Sequence, residues 1–298
     1  MSLEDEGGRM AIRISIANQK GGCGKTSTAI NLADALRRMG YKVLFLDCDA
    51  QANATKLLQM QPEANPGVTE LILNPDTKLD GCLTATKLPN VSLVRGSIRL
   101  ASVENRLREP SLYPIPIGVL KGKFRKETDF DIVLFDTPPP SLSLITMNAL
   151  AASDFVIVPM ESGSGFSFDG LDDLLNIIAT VRNSVQPDLA ILGVLLTKHD
   201  SRRNVCQAVF QMVQDRFKGD CLSTTISMST AAQKAELQRD TVLQYDRKCS
   251  ASRDYIALAN EVVSRLHTPT PTARVKPEVA KVVVETLRAD APEEVTSA

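Results

Sequence analysis

The sequence predicts an α/β fold: a mostly parallel, twisted sheet with helices on both faces. Two observations carry this prediction. Short, β-branched apolar runs alternate along the chain with longer stretches whose apolar residues recur at helical spacing. The strand candidates are also apolar almost throughout, as expected of strands covered on both sides rather than on one. With 298 residues, 43% of them hydrophobic and 23% charged, the chain has ample material for one large core or two small ones.

The elements follow in order. Ile12-Arg13-Ile14-Ser15-Ile16-Ala17 is β-branched and runs into a glycine-rich turn, so it reads as a strand. Over residues 25–39, Ile30, Leu32, Ala33, Leu36 and Met39 mark a helix that Gly40 ends. Val43-Leu44-Phe45-Leu46 is the second strand, closed by Asp47-Cys48-Asp49. These three form a βαβ unit. Val91-Ser92-Leu93-Val94 and Ile132-Val133-Leu134-Phe135 are further strands, the latter closed by Asp136-Thr137 and three prolines. Residues 142–151 read as a helix, Phe155-Val156-Ile157-Val158 as a strand, 171–181 as a helix, 190–196 as a strand, 205–217 as a helix and 253–266 as the last helix. Thr268-Pro269-Thr270-Pro271-Thr272 then reads as a linker. The expected organisation is a flexible tail over residues 1–10, a folded body over 11–267, and a Pro/Thr linker with a disordered tail over 268–298.

Composition removes several function classes. No run approaches the ~18–20 apolar residues of a membrane-spanning helix. The start, MSLEDEGGRM, is acidic and polar, unlike a secretory leader. The six cysteines, at 23, 48, 82, 206, 221 and 249, form no CxxC-type clamp and fit a reduced cytosol as small buried hydrophobes. Trp is absent and aromatics are 4%, which leaves no extended platform for stacking single-stranded bases. With 34 basic and 35 acidic residues, the net charge makes no demand for nucleic acid.

The segment that carries chemistry is Gln19-Lys20-Gly21-Gly22-Cys23-Gly24-Lys25-Thr26-Ser27, between the first strand and the first helix. A glycine-rich turn there lets backbone N–H groups crowd phosphate oxygens, and the helix N-terminus adds positive potential. Lys25 would reach the β- and γ-phosphates and the Thr26 hydroxyl would ligate magnesium. This makes the fold one of P-loop NTPase type. The usual pattern asks for a glycine five residues before Gly24, where this chain has Gln19.

That departure, with Lys20 ahead of Gly21-Gly22-Cys23-Gly24-Lys25-Thr26, resembles the deviant Walker A motif of the ParA/MinD superfamily. Three further segments agree. Asp47-Cys48-Asp49-Ala50-Gln51-Ala52-Asn53-Ala54-Thr55 resembles the family's D-x-D-P-Q-G-N-A-T segment, with alanines at the proline and glycine positions. Phe130 to Pro139 resembles its Walker B strand. Asn148 to Asp154, Tyr245-Asp246 and Ala251-Ser252-x-x-Tyr255 follow the ParA pattern in order. The resemblance covers about residues 11 to 267 and is nearest to ParA-type partition and positioning ATPases.

It implies an ATPase that takes ATP and Mg²⁺. Lys20, Gly21, Gly22, Cys23, Gly24, Lys25, Thr26 and Ser27 would hold the nucleotide, and Thr26 and Asp136 the metal. Lys20 would cross to the partner subunit's nucleotide, and Asp49 would position the attacking water. The family's Pro-Arg-Asn loop near the adenine falls on Ser227-Met228-Ser229, which assigns Met228 and Ser229 to the nucleotide through their backbone. One basic residue that the family uses on DNA matches Arg202. A second falls on Ala231, with Lys234 and Arg239 nearby to replace it. Residues 198–253 hold ten basic and six acidic side chains.

The implied function is an ATP-dependent homodimeric switch that binds DNA without sequence preference. It would position a plasmid, chromosome or protein assembly, with hydrolysis stimulated by a ParB-like or other cargo adaptor. The expected location is the cytoplasm, on the nucleoid. The alternative is a MinD-like membrane switch, disfavoured because residues 277–288 lack bulky anchors and a basic face. An iron–sulfur reductase would need paired interface cysteines. A metabolic P-loop enzyme would not be expected to show the Asp49 segment.

Overall fold

Strands that are apolar on both sides need cover on both sides, and the chain provides it. The computed structural model describes residues 10–267, apart from 61–64, 110, 112, 114, 125–127, 139–142 and 164–169. Its centre is an eight-stranded sheet. The strands are β1 (Ile12–Ile16), β2 (Val43–Asp47), β3 (Leu83–Ala85), β4 (Val91–Val94), β5 (Ile132–Asp136), β6 (Phe155–Glu161), β7 (Ala190–His199) and β8 (Cys221–Ser227). Their spatial order is β3-β4-β2-β5-β1-β6-β7-β8. Every pairing is parallel except β3 on β4, which is antiparallel.

Successive residues of each strand enter opposite cores, because side chains alternate across the sheet. Val43, Phe45, Ile132 and Leu134 face one core. It is closed by α1 (Lys25–Arg38), α2 (Asn53–Leu58), α8 (Thr230–Leu237), α9 (Val242–Tyr245) and α10 (Ser250–Leu266). Leu44, Leu46, Val133 and Phe135 face the other. That face is closed by α3 (Val68–Leu73), α4 (Val103–Leu107), α5 (Leu144–Ala151), α6 (Leu171–Ser184) and α7 (Asn204–Phe217). All six cysteines are free and five are buried, as the scattered spacing predicts.

The order also fixes where a ligand can sit. From β1 the chain passes to β2 on one side, while β6, on the other side of β1, leads on to β7 and β8. Open parallel sheets bind ligands outside the carboxyl ends of their strands at such a reversal. The register brings Ile16, Asp47 and Asp136 together at that edge, since Asp136 pairs with both Ile16 and Asp47.

Several elements differ from the sequence reading. β8 was not foreseen. Its Cys-Leu-Ser-Thr-Thr-Ile-Ser run buries only Cys221, Leu222 and Ile226, so it lacks the apolar continuity of an inner strand. The three-residue β3 and the short helices α2, α3, α4, α8 and α9 were too brief to show a period. α10 starts at Ser250 rather than 253, because the Cys249 sulfur accepts a bond from the Ser252 N–H and caps it. α5 starts at Leu144, where the Ser143 hydroxyl accepts from the N–H groups of Ile145 and Thr146. Leu142, Pro139, residues 1–9 and the linker and tail over 268–298 lie outside the described residues.

Candidate phosphate and magnesium site

The loop after β1 is held from three sides. The Thr137 hydroxyl donates to the Ile16 carbonyl at 2.9 Å, and the Ala17 N–H to the Ile157 carbonyl at 3.1 Å. The Asn18 amide donates to the Pro159 carbonyl at 2.6 Å, and its oxygen accepts the Lys20 N–H at 3.1 Å. From β7, the Thr197 hydroxyl donates to the Cys23 carbonyl at 2.8 Å. Gly22 and Gly24 have φ of +72° and +89°, a left-handed backbone that disfavours any side chain. A Cβ on Gly24 would sit 3.5 Å from the Thr197 methyl. Gly24 then starts α1, its carbonyl accepting the Thr28 N–H at 2.8 Å.

The side chains of this loop divide into two kinds. Gly21, Gly22 and Ser27 are exposed, Lys20 and Thr26 half-buried, and Cys23 buried. Lys25 is 6% exposed, and its ammonium donates across the loop to the Lys20 carbonyl at 3.1 Å. The Lys20 ammonium makes no ion pair among the described residues. One cation is thus bound into the loop and the other is left to reach outward. Oriented N–H groups beside a buried ammonium suit a polyphosphate.

Two buried carboxylates lie beside this loop and have opposite surroundings. Asp47 accepts the Thr55 N–H and hydroxyl, both at 2.7 Å, and the Asp49 N–H at 3.2 Å. Burial nonetheless pushes its carboxyl up to about 6, against those hydrogen bonds. Asp136 is also fully buried, but neither of its oxygens has a hydrogen bond of good geometry. Burial, and then Asp47, push it well above the carboxylate range, and the nearby Thr26 hydroxyl and Lys25 ammonium offset only part of that. A buried carboxylate without donors beside a hydroxyl is a donor set that suits magnesium, which takes hard oxygens and few protein ligands. Thr26 and Asp136 are therefore the residues that could hold the metal.

A stability consequence follows. Asp136→Asn should raise the stability of the nucleotide-free protein at pH 7 by about 1–3 kcal/mol, since a buried carboxyl that costs free energy whether ionised or held protonated is replaced by a neutral amide. The raised carboxyl of Asp136 favours the folded state only while protonated, so its cost grows as pH climbs above the unfolded value. The gain should accordingly shrink as pH falls toward 4. Urea melts of both proteins across pH measure it.

Asp49 is 9% exposed at the mouth of the site, and one of its oxygens accepts the Gln51 N–H at 2.9 Å. Met228 is exposed; its N–H donates to the His199 carbonyl at 3.1 Å, which ties the 227–229 segment to the end of β7. The Ser229 hydroxyl is occupied in capping α8, where it accepts from the Ala232 N–H.

The basic stretch is less free than its count suggests. Arg202, 89% exposed at its side chain, is paired to Asp200 of its own loop at 2.9 Å. Lys198 pairs with Glu161 and Arg216 with Asp172. Lys234 and Arg239 stand exposed on α8 and just after it. Thr197 and Asn18 were missed in the sequence because each acts through a contact between distant segments. Thr197 had one faint signal, its place at the polar end of an apolar strand.

The chain also matches known proteins. The family model described as an AAA domain matches residues 11–191. The chain is 34% identical over 252 residues to the chromosome partitioning protein ParA of Caulobacter vibrioides, covering 85% of this chain and 94% of that protein. It is 33% identical over 251 residues to the sporulation initiation inhibitor protein Soj of Bacillus subtilis, covering 84% and 98%. Among solved structures, cobyrinic acid a,c-diamide synthase from Mycobacterium smegmatis with bound ADP and magnesium matches with a TM-score of 0.74 at 29% identity, covering 90% of this chain and 100% of that one.

Proposed function

The chain belongs to the ParA and Soj partition ATPases and is an ATP hydrolase that uses magnesium; from that premise we propose that it works as an ATP-dependent dimeric switch which positions a cargo along DNA. The observation that carries the reading is the pair of lysines in one loop, Lys25 folded across it and Lys20 beside it without an ion pair among the described residues. Lys25 and the loop N–H groups from Gly21 to Ser27 bind the phosphates. Thr26 and Asp136 hold the magnesium, which neutralises phosphate charge. Lys20 reaches the nucleotide of the partner subunit, where a cation supplied in trans stabilises transition-state charge. Asp49 orients the water. The backbone of Met228 and Ser229 lines the adenine side. The catalytic body is residues 11–267, followed by a linker and tail.

Each partner follows from that switch. Closing two subunits face to face sets two basic surfaces, carrying Arg202, Lys234 and Arg239, side by side. Two weak sites in one body gain through effective concentration. A ParB-like or other adaptor carrying the cargo stimulates hydrolysis and releases the dimer from DNA, within the cytoplasm and on the nucleoid. No helix among the described residues is long and apolar enough to cross a membrane. The likeness to a synthase is at 29% identity, whereas two partition relatives reach 33–34% over most of the chain.

The ATP-bound protein should therefore bind random duplex DNA, and the apo and ADP forms should bind far less. Affinity should fall steeply with salt, because phosphate contacts release condensed counterions. Lys234→Ala and Arg239→Ala should weaken binding equally across sequences and flatten the salt slope by roughly one unit per lost contact. Arg202→Ala should do the same to a smaller degree, because Asp200 already holds that guanidinium. Fluorescence anisotropy on two unrelated duplexes, beside liposome sedimentation, tests this. Binding to liposomes but not to DNA would favour the membrane alternative.

A further inference from the structure

The segment between Asp47 and Thr55 carries a network that the switch reading does not use. The Thr55 hydroxyl donates to the Asp47 carboxylate at 2.7 Å and accepts the Gly96 N–H at 2.9 Å. It therefore bridges the carboxyl end of β2 to the carboxyl end of β4, whose last residue is Val94. The other Asp47 oxygen accepts the Asp49 N–H. Gly96 closes the arrangement from outside. A Cβ there would lie 2.7 Å from the Asp47 carbonyl oxygen, 2.8 Å from its carboxyl carbon and 2.9 Å from the Asp49 carbonyl oxygen. Thr55 is 6% exposed and Asp47 fully buried, so solvent competes little for these bonds. The loop is strained as well, with Ala52 at a φ of +52°.

We propose that Thr55 is a positioning residue for hydrolysis: its hydroxyl, locked between Asp47 and the Gly96 amide, sets the backbone from which the Asp49 carboxylate reaches the attacking water. The assignment rests on the reading that Asp49 orients that water. Asp47 acts in the same chain, as the acceptor that joins Thr55 to the Asp49 amide. Among the described residues no hydrogen bond joins Thr55 or Gly96 to the phosphate loop, so removing the Thr55 hydroxyl leaves the groups that bind nucleotide in place. An oriented carboxylate loses effectiveness when its support moves by a fraction of an ångström, whereas binding energy drawn from Lys25 and the loop amides does not.

The test is steady-state ATP hydrolysis by the full chain, with kcat and KM measured separately. Thr55→Val keeps the shape and removes the hydroxyl. It should lower kcat by about 10- to 100-fold and leave KM for ATP within about twofold. Thr55→Ser, which keeps the hydroxyl, should restore most of kcat. Gly96→Ala, which keeps the hydroxyl but forces the loop to shift, should lower kcat as Thr55→Val does; it decides the matter if Thr55→Val fails to fold. Wild-type kcat in Thr55→Val, or in Gly96→Ala, overturns the proposal. So does a Thr55→Ser variant as slow as Thr55→Val. Asp49→Ala is the separating control: if it hydrolyses normally, the water-orienting reading of Asp49 fails. If it is inactive while Thr55→Val is unchanged, only the positioning role fails.

Discussion

Asp49→Ala should bind ATP and magnesium as the wild type does, form the ATP dimer, and hydrolyse ATP about 100- to 1000-fold more slowly. Removing a group that acts mainly in the transition state lowers turnover far more than ground-state binding. The site supports that division. Asp49 stands at its mouth with one oxygen taken by the Gln51 N–H, while the Lys25 ammonium bonds to the Lys20 carbonyl, and no ion pair joins the two among the described residues. Phosphate release measured at saturating ATP, beside nucleotide affinity by calorimetry, checks both halves. Equal loss of affinity and turnover would move Asp49 from water positioning to nucleotide binding.

Lys25→Ala should weaken ATP binding by about 100-fold or more, equivalent to about 2.7 kcal/mol, and so abolish hydrolysis at working concentrations. The ammonium is the buried cation of the loop and lies beside Cys23, its sulfur 4.0 Å away. It is also a counter-charge for buried Asp136. The variant should therefore melt earlier than the wild type without nucleotide, and Lys25→Ala combined with Asp136→Asn should recover part of that loss. Calorimetry with Mg·ATP and melting curves on the three proteins separate the two effects. Unchanged ATP affinity in Lys25→Ala would remove the phosphate-site assignment.

Much of this was legible in the sequence, for physical reasons that particular elements make plain. β2, β5, β6 and β7 were visible because inner strands of a doubly covered sheet are apolar almost throughout, and β1, which alternates isoleucines with Arg13 and Ser15, because it is β-branched and runs into a glycine-rich turn. The phosphate loop was visible because positive φ at Gly22 and Gly24 leaves little choice of residue. Asp136 was visible because it closes an apolar strand. β8 was hidden because an edge strand rich in Ser and Thr looks like a loop. Thr55 was in plain view within a recognised segment, yet its role needs Gly96, 41 residues away in the chain and 2.9 Å away in space. The surroundings of Arg202 likewise needed the fold, which sets its exposed guanidinium 2.9 Å from Asp200 of its own loop.

The most direct test of the switch is the mass of the protein in solution. Light scattering on Asp49→Ala should give the monomer mass without nucleotide and with ADP, and twice that mass with Mg·ATP. Adding Lys20→Ala to the same chain should return the ATP form toward the monomer, because the cation offered to the opposite subunit is gone. A monomer mass with saturating Mg·ATP, in a protein that calorimetry shows to be loaded, would contradict the account.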